Sequence, residues 1–288
     1  MTALPHIAAF FDPATFTVSY VVHDPATLRA AIIDPVLDFS ARNARTATRS
    51  ADALLNYVAA AELHVDWLLE THAHADHLSA GHYLHERTGA PLVIGQEITA
   101  VQQTFAPLFE ASDVVPDGRQ FDRLVRDGDV LPLGSLSLTV IHTPGHTPAC
   151  VSYLIGDAVF VGDTLFMPDY GTARADFPGG SATALYRSIR KILALPAQTR
   201  MFVGHDYLPA GRSEYRWETS VAEQMASNVH VHDGVGEAEF VAMRQARDAT
   251  IEAPLLILPA LQVNIRAGAM PPASPGGHIY FRLPVNAI

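Results

Sequence analysis

The sequence predicts a mixed α/β fold in which sheets are flanked by helices. Two observations support this prediction. Strand-like and helix-like segments alternate over residues 7–94 in the order β-β-α-β-α-β, which is typical of sheets covered by helices. In addition, 49% of the 288 residues are hydrophobic and 17% are charged, so the chain can bury a large core.

The first half of the chain carries most of this alternation. Residues 16–22 and 30–33 are rich in β-branched and aromatic residues and are predicted to form strands. Residues 50–62 place apolar side chains at helical spacing, with Ser50 as the expected N-cap. A strand over 65–69 follows. The next predicted elements are a helix over 78–88 that ends at Gly89, a strand over 91–94, and a mobile loop over 96–125 that is partly helical.

The second half adds more strands and a C-terminal segment of different character. We expect a catalytic domain over residues 1–220 and a helical and extended segment over 221–288 that packs on it. The elements predicted here are strands over 135–141, 150–155, 158–161 and 201–203, and helices over 182–195 and 237–250.

Residues 71–77, Thr-His-Ala-His-Ala-Asp-His, carry three imidazoles and a carboxylate within six consecutive positions. Imidazole nitrogen and carboxylate oxygen are the ligands that zinc and iron take from proteins. In a helix, His72 and His74 would point about 200° apart, whereas in extended chain His72, His74 and Asp76 share one side. The spacing therefore predicts a metal-binding loop at the end of a strand, to which His77 adds a fourth candidate ligand.

Three later residues repeat the arrangement of a strand followed by a metal-ligand type of residue. These are His146, Asp163 and His205, and a glycine directly precedes each of them. Glycine permits a close approach or an unusual φ at such a turn. Each residue alone is weak evidence, but together with residues 72–77 they favour one metal site.

This set of residues resembles the metallo-β-lactamase superfamily, whose H-x-H-x-D-H motif matches residues 72–77. The resemblance implies an αββα sandwich with the metal at the edges of the sheets. In members with two metal ions, the first ion would take His72, His74 and His146. The second would take Asp76, His77 and His205, and Asp163 would bridge.

The segments 162–166, 171–177 and 204–207 are similar to the persulfide dioxygenases, as is the C-terminal region from 261–264 through 270–272 to 284–286. That resemblance implies one Fe(II) per chain, held by His72, His146 and Asp163, with open positions for substrate and O₂. The substrate would be glutathione persulfide or a similar small persulfide, and the products would be sulfite and the thiol. The remaining candidate ligands would orient these three or hold a second metal, and they are His74, Asp76, His77 and His205.

Two further residues are candidates for substrate contact. Arg174 lies in the segment 171–177, where a structural ion pair with Asp176 is at least as plausible a role. Tyr207 follows the last histidine and could either hydrogen-bond substrate or pack through its ring. At Thr172 the sequence departs from the animal members, which carry a cysteine there, so a thiol-based role at that position is not expected.

Other functions fit the same ligands. A zinc hydrolase of the glyoxalase II type, with one or two Zn(II) per chain, would cleave glutathione thioesters by a metal-bound hydroxide. Against it, no basic C-terminal segment is evident, and Lys191 is the only lysine. A lactonase or β-lactamase is a further alternative. A metal sensor without turnover would be favoured by lost ligands, and none is lost.

Composition limits the partners. A net charge of −11 disfavours nucleic acid, and no apolar run approaches the ~20 residues of a membrane span. Cys150 is the only cysteine, so no internal disulfide is expected, and a buried apolar role is favoured. Since no targeting signal is evident, we expect a cytoplasmic protein, with a homodimer as the default assembly. His230 and His232 are expected to serve a turn or an interface rather than a second metal site.

Overall fold

The computed structural model describes residues 4–287 and confirms the mixed α/β fold class. Two six-stranded sheets and one small sheet form the framework. The first sheet contains, in spatial order, β1 (His6–Asp12), β2 (Thr17–His23), β3 (Arg29–Ile33), β6 (His64–Leu69), β8 (Leu92–Gly95) and β9 (Arg123–Val125). The second contains β10 (Val130–Leu133), β11 (Leu136–His142), β12 (Val151–Ile155), β13 (Ala158–Phe160), β14 (Arg200–Phe202) and β15 (Glu218–Ser220). The small sheet contains β5 (Arg45–Ala47), β4 (Val36–Ser40) and β7 (Leu78–Ser79).

Seven helices occur among residues 4–287. They are α1 (Arg49–Ala60), α2 (Gly81–Thr88), α3 (Ile98–Leu108), α4 (Ala182–Leu193), α5 (Val221–Ser227), α6 (Glu237–Asp248) and α7 (Ile257–Asn264). Within this described part of the chain, no helix combines the length and the apolar character that crossing a bilayer requires.

Three buried clusters show how the layers stack. Tyr20 of β2 and Tyr153 of β12 belong to the cluster between the two large sheets. Phe105 of α3 lies in the cluster that covers the outer face of the first sheet. Leu185 of α4 and Phe240 of α6 lie in the cluster that covers the second. The order of layers is therefore helix, sheet, sheet, helix, which is the αββα sandwich expected from the resemblance.

The two sheets are joined at one edge near the start of β2. Thr17 forms an isolated antiparallel bridge with His205, which follows β14. The backbone nitrogen of Val18 donates to the carbonyl oxygen of Gly204 at 2.8 Å, and that of Asp206 donates to Phe16 at 3.1 Å. The loops that follow β6, β11, β13 and β14 carry the candidate ligands to this edge.

Helix α1 begins differently from the prediction. Ser50 is the second residue of the helix rather than its N-cap, which is Thr48. The carboxylate of Asp38 in β4 accepts hydrogen bonds from the backbone nitrogen and the hydroxyl of Ser50, at 3.0 and 3.2 Å. A neighbouring strand thus satisfies the first turn of the helix, and local sequence does not reveal this contact.

Two other segments also differ from the prediction. Residues 78–88 open with the short strand β7, because Ser79 pairs with Val36, and the helix starts only at Gly81. Residues 96–125 were predicted as a mobile loop that is partly helical; helix α3 confirms the helical part, whereas the edge strand β9 was not predicted. Phe105 of α3 is buried beside Phe177, with ring centroids 5.3 Å apart.

The C-terminal segment contacts both halves of the sandwich. Helix α6 packs on α4, and α7 packs on α3 and β7. Phe281 in the tail lies edge-on to Phe39 at 5.7 Å, whereas Leu283 and Val285 are exposed. The division into domains at residue 220 stays a prediction.

Candidate metal centre

The first group of candidate ligands comprises His72, His146 and Asp163. They lie in the loops that follow β6, β11 and β13, and all three are buried. Their donor atoms lie within 4.8 Å of one another. The Nε2 atoms of His72 and His146 are 3.9 and 3.8 Å from the same oxygen, Oδ2 of Asp163. Donors bonded to one ion at about 2.1 Å lie about 3 Å apart, so movements of less than about 1 Å bring these three around one ion.

Hydrogen bonds determine which imidazole nitrogen of His72 and of His146 is free to bind a metal ion. The Thr71 hydroxyl donates to Asp34, so its oxygen is the acceptor for Nδ1–H of His72 at 3.0 Å. Nδ1 of His146 lies 2.9 Å from the carbonyl oxygen of Arg174, which can only accept. Both rings therefore carry the hydrogen on Nδ1 and keep the Nε2 lone pair for an ion.

The second group comprises His74, Asp76, His77 and His205, whose donor atoms also lie within 4.8 Å of one another. Nε2 of His205 is 3.4 Å from Oδ2 of Asp76 and 3.3 Å from Oδ1 of Asp163. Since Oδ2 of Asp163 faces the first group and Oδ1 faces His205, this carboxylate lies between the two groups.

Several of these donors have no hydrogen-bond partner, although buried polar atoms are nearly always bonded. Among residues 4–287, the buried side-chain atoms of the two groups that lack a partner are His72 Nε2, His74 Nδ1, His77 Nε2, Asp163 Oδ1 and His205 Nε2. Such a concentration of unpartnered imidazole nitrogens around carboxylates fits a metal ion as the missing partner.

His74 is held by two buried carboxylates. Its Nε2 lies 3.1 Å from Oδ1 of Asp34 and 3.3 Å from Oε2 of Glu70. Burial lowers the pKa of His74, but the carboxylates, Asp34 first, outweigh it and raise that pKa well above its usual value. Nε2 therefore keeps its hydrogen between the two carboxylates, and Nδ1 is the nitrogen that binds an ion once it gives up its own proton.

The pKa values of His72 and His77 are shifted in the opposite direction, downward. Burial is the largest cause that lowers the pKa of His72 well below its usual value, and His74 and His146 add to it. Burial, followed by His74, also lowers the pKa of His77. Both rings are therefore neutral near pH 7, which is the form that binds metals.

The C-terminal helix α7 supports the metal-binding loop from outside. The side-chain nitrogen of Asn264 donates to the carbonyl oxygens of His74 and His77, both at 2.8 Å. Its side-chain oxygen accepts from the backbone nitrogen of Ser79 at 2.8 Å. One buried amide thus fixes the backbone at both ends of residues 74–79. Sequence analysis missed this role, because the contact spans about 185 residues.

Helix α6 supports the segment that holds His146. Asp248 accepts from the backbone nitrogen of Ala175 at 2.9 Å, and Arg244 donates to the carbonyl oxygen of Thr172 at 3.1 Å. These two side chains also form a buried ion pair, with 2.6 Å between Nη2 and Oδ1. The carbonyl that accepts from His146 lies within the segment so held.

A cavity of about 610 Å³ is lined by His146 and Asp163 of the first group and by Asp76 of the second. Both predicted substrate contacts, Arg174 and Tyr207, line it as well. A larger cavity of about 910 Å³ lies beside β1, β4 and α1, and none of the seven candidate ligands lines it. The smaller cavity is therefore the candidate substrate pocket, since it alone of the two reaches the donors.

The side chain of Arg174 is engaged within the protein. Its guanidinium pairs with Asp176, with Nε 2.6 Å and Nη2 2.7 Å from the two carboxylate oxygens. Nη1 donates to the carbonyl oxygen of Glu252 at 2.7 Å. The structural ion pair weighed in the sequence analysis is thus present, and direct contact of Arg174 with substrate stays a prediction.

Tyr207 stacks on His205, with ring centroids 5.4 Å apart and planes at 11°. Burial, followed by Asp76 and Asp163, raises the pKa of its hydroxyl well above the usual value. The hydroxyl therefore stays protonated at the wall of the cavity, where it can donate a hydrogen bond. Its contact with substrate stays a prediction.

Three residues set aside in the sequence analysis lie outside the two groups. Cys150 is buried, and burial raises the pKa of its thiol to about 12, so the thiol is protonated and unreactive. His230 and His232 lie in the turn between α5 and α6, as predicted. Nδ1 of His230 accepts from the backbone nitrogen of Thr172 at 3.0 Å. Over residues 4–287, neither histidine joins a cluster of candidate metal ligands.

Comparison with known protein families shows which family the chain belongs to. Residues 12–205, more than half of the chain, match the model of the metallo-beta-lactamase superfamily. The chain belongs to this superfamily. The superfamily and the donor groups together identify a metal-dependent enzyme.

Relatives of the chain within the metallo-beta-lactamase superfamily carry different names. At 52% identity it matches a probable metallo-hydrolase of Burkholderia pseudomallei, over 98% of this chain and 99% of the relative. At the same identity it covers 66% of a longer beta-lactamase hydrolase-like protein of Agrobacterium fabrum. At 47% identity it matches glyoxylase B2 of Dictyostelium discoideum, over 97% of each chain.

Persulfide dioxygenases are also among its relatives. The mitochondrial persulfide dioxygenase ETHE1 of Homo sapiens is 31% identical over 200 residues, which cover 68% of this chain and 66% of that protein. The crystal structure of ETHE1 from Myxococcus xanthus has a TM-score of 0.74 and 33% identity, and the match covers 92% of this chain and all of that one.

Proposed function

We propose that this protein is a mononuclear iron persulfide dioxygenase in which His72, His146 and Asp163 hold the iron. The observation that carries the proposal is that two imidazole nitrogens with free lone pairs lie about equally far from one carboxylate oxygen. Two histidines and one carboxylate are the ligand set of non-haem iron oxygenases, and they leave positions open for substrate and O₂. The likeness to ETHE1 from human and from Myxococcus xanthus supports the same function.

The reaction converts a persulfide, O₂ and water into a thiol, sulfite and two protons. The sulfur–sulfur bond breaks, and four electrons pass from sulfur to O₂. The chemistry that iron supplies when bound is the transfer of electrons between the persulfide sulfur and O₂. The chain contributes the shape and polarity of the pocket around that event.

Residues of the pocket have three tasks in this proposal. The carbonyl of Arg174 holds the ring of His146 in the orientation that presents Nε2. The aromatic rings of Phe166, Tyr170 and Tyr207 pack against one another at centroid distances of 5.0 to 5.7 Å and keep one wall of the cavity apolar. The protonated hydroxyl of Tyr207 can donate a hydrogen bond to an oxygen that forms on sulfur.

A zinc hydrolase with two metal ions is the second candidate function. It is favoured by the second group of donors and by the position of Asp163 between the two groups. The names of the metallo-hydrolase and glyoxylase relatives favour it as well. The substrate would then be a small thioester such as one of glutathione. The metals would lower the pKa of bound water to about 7 and so supply a hydroxide.

Metal content measured together with O₂ uptake separates the two functions. Protein purified without added metal is assayed for iron and zinc, then mixed with glutathione persulfide or with a glutathione thioester. We expect about one iron per chain, O₂ uptake with the persulfide, and one sulfite formed per O₂ consumed. About two zinc ions per chain with thioester cleavage and no O₂ uptake would contradict the proposal.

A further inference from the structure

Four arginines line the cavity that opens onto the metal centre, and they fall into two classes. Two are neutralised by ion pairs within the protein, Arg174 by Asp176 and Arg244 by Asp248. The other two are Arg42, in the loop between β4 and β5, and Arg247, near the end of α6. Both are exposed, and among residues 4–287 no carboxylate lies within 4.0 Å of either guanidinium.

The chain has 30 acidic and 19 basic residues, so two arginines without a carboxylate partner at one cavity run against its overall charge. The carboxylates that line the same cavity are Asp76 and Asp163, which belong to the donor groups, and Glu252. Burial, followed by the charges of Arg244 and Arg247, lowers the pKa of His230 beside the α6 wall to about 4, so that ring is neutral. The cavity therefore offers an anion two cationic partners beside a metal site.

We propose that Arg42 and Arg247 bind carboxylate groups of the substrate, so that the pocket selects small thiol derivatives with free carboxylates. A guanidinium presents parallel N–H donors that match a carboxylate in a bidentate pair. Because the two arginines come from different elements, they hold an extended ligand at separate points. The inference rests on the proposed function in that the bound sulfur compound reacts at the metal centre, and it holds for a persulfide or a thioester.

Turnover kinetics test the role of each arginine. Arg42→Gln and Arg247→Gln remove the charge at exposed positions, so both variants should fold. For glutathione persulfide we expect KM to rise about 10-fold for each variant, with kcat changed less than about 2-fold, since a charge-assisted hydrogen bond to a carboxylate is lost. The KM for the uncharged persulfide of 2-mercaptoethanol should not change.

Arg45→Gln is the matched control. Arg45 is exposed in β5, three residues from Arg42, but it lines the neighbouring cavity instead of the substrate pocket. We expect this variant to have the KM of the native protein. Unchanged KM in both Arg42→Gln and Arg247→Gln, or an equal rise for the uncharged persulfide, would overturn the proposal.

Equilibrium binding tests the proposal without turnover and so separates its failure from that of the proposed function. Calorimetry compares glutathione with its diethyl ester, which lacks both free carboxylates. Native protein should bind glutathione about 10-fold or more tightly than the diester, and the double variant should lose this preference. Equal binding of the two ligands by native protein would overturn the inference, whatever reaction the enzyme catalyses.

Discussion

Asp163→Asn is expected to lose its iron, whereas Asp76→Asn is expected to keep it. Oδ2 of Asp163 lies 3.8 to 3.9 Å from Nε2 of both His146 and His72, so an amide at this position removes the anionic ligand of the first group. We expect iron affinity to fall by more than about 100-fold and O₂ uptake to fall with it, because loss of an outer residue alone costs 10–100-fold. Asp76 belongs only to the second group, so Asp76→Asn should weaken binding by about 10-fold.

The measurement is iron per chain after dialysis against a graded series of chelators. Asp169→Asn serves as the control, since Asp169 is an exposed carboxylate paired with Arg212 and lies outside both donor groups. It should retain the iron of the native protein. Equal loss of iron from Asp76→Asn and Asp163→Asn would show that the second group also holds metal, against the mononuclear assignment.

Asn264→Ala is expected to reduce both stability and iron affinity. The substitution removes three hydrogen bonds of 2.8 Å and leaves two buried carbonyls and one buried N–H of the metal-binding loop without their partner. We expect the free energy of unfolding to fall by about 3 kcal/mol. Because the backbone at His74 and His77 is no longer fixed, iron affinity should fall by about 10-fold. Denaturant unfolding of the metal-free protein and chelator competition measure the two effects.

Gln262→Ala separates loop positioning from general destabilisation. Gln262 is buried on the same helix and also makes three hydrogen bonds, but its partners are Leu258 and the backbone of Arg282 in the tail. This variant should lose a similar amount of stability and keep the iron affinity of the native protein. If both variants bind iron equally well, Asn264 has only a structural role.

The candidate ligands could be identified from sequence because residue type and spacing carry the information. Imidazoles and a carboxylate at alternate positions after an apolar strand suit extended chain, and 72–77 indeed lie in the loop that follows β6. His146, Asp163 and His205 each follow a strand, and the ends of neighbouring strands meet at one edge. The structure brings these residues together, while their roles as ligands stay proposals.

Other features depend on contacts that local sequence does not encode. The first turn of α1 is satisfied by Asp38 of strand β4, so Ser50 was given a role as N-cap that it does not have. The carboxylates that hold His74 are Asp34, 40 residues earlier, and Glu70. The supports of the ligand loops, Asn264 and Asp248, lie far along the chain on C-terminal helices. Nothing in their local pattern distinguishes them from ordinary polar residues.

Within residues 96–125, the edge strand β9 was missed for a different reason. Ile98, Val101 and Phe105 lie at helical spacing and are buried, so a helix signal was present in the sequence. The turn residues Asp117 and Gly118 and the absence of a clear strand pattern favour a loop after that helix, so β9 is not predicted. The short edge strand β9 is held by its pairing with β8, which is a tertiary contact.

The most direct test of the account is a crystal structure of the iron-loaded protein, with anomalous diffraction measured on both sides of the iron and zinc absorption edges. We predict one anomalous peak per chain, at the iron edge, bonded to Nε2 of His72, Nε2 of His146 and a carboxylate oxygen of Asp163 at about 2.1 Å. Two peaks in the site, with the second bonded to His77 and His205, would contradict the claim that a single iron ion is the working metal.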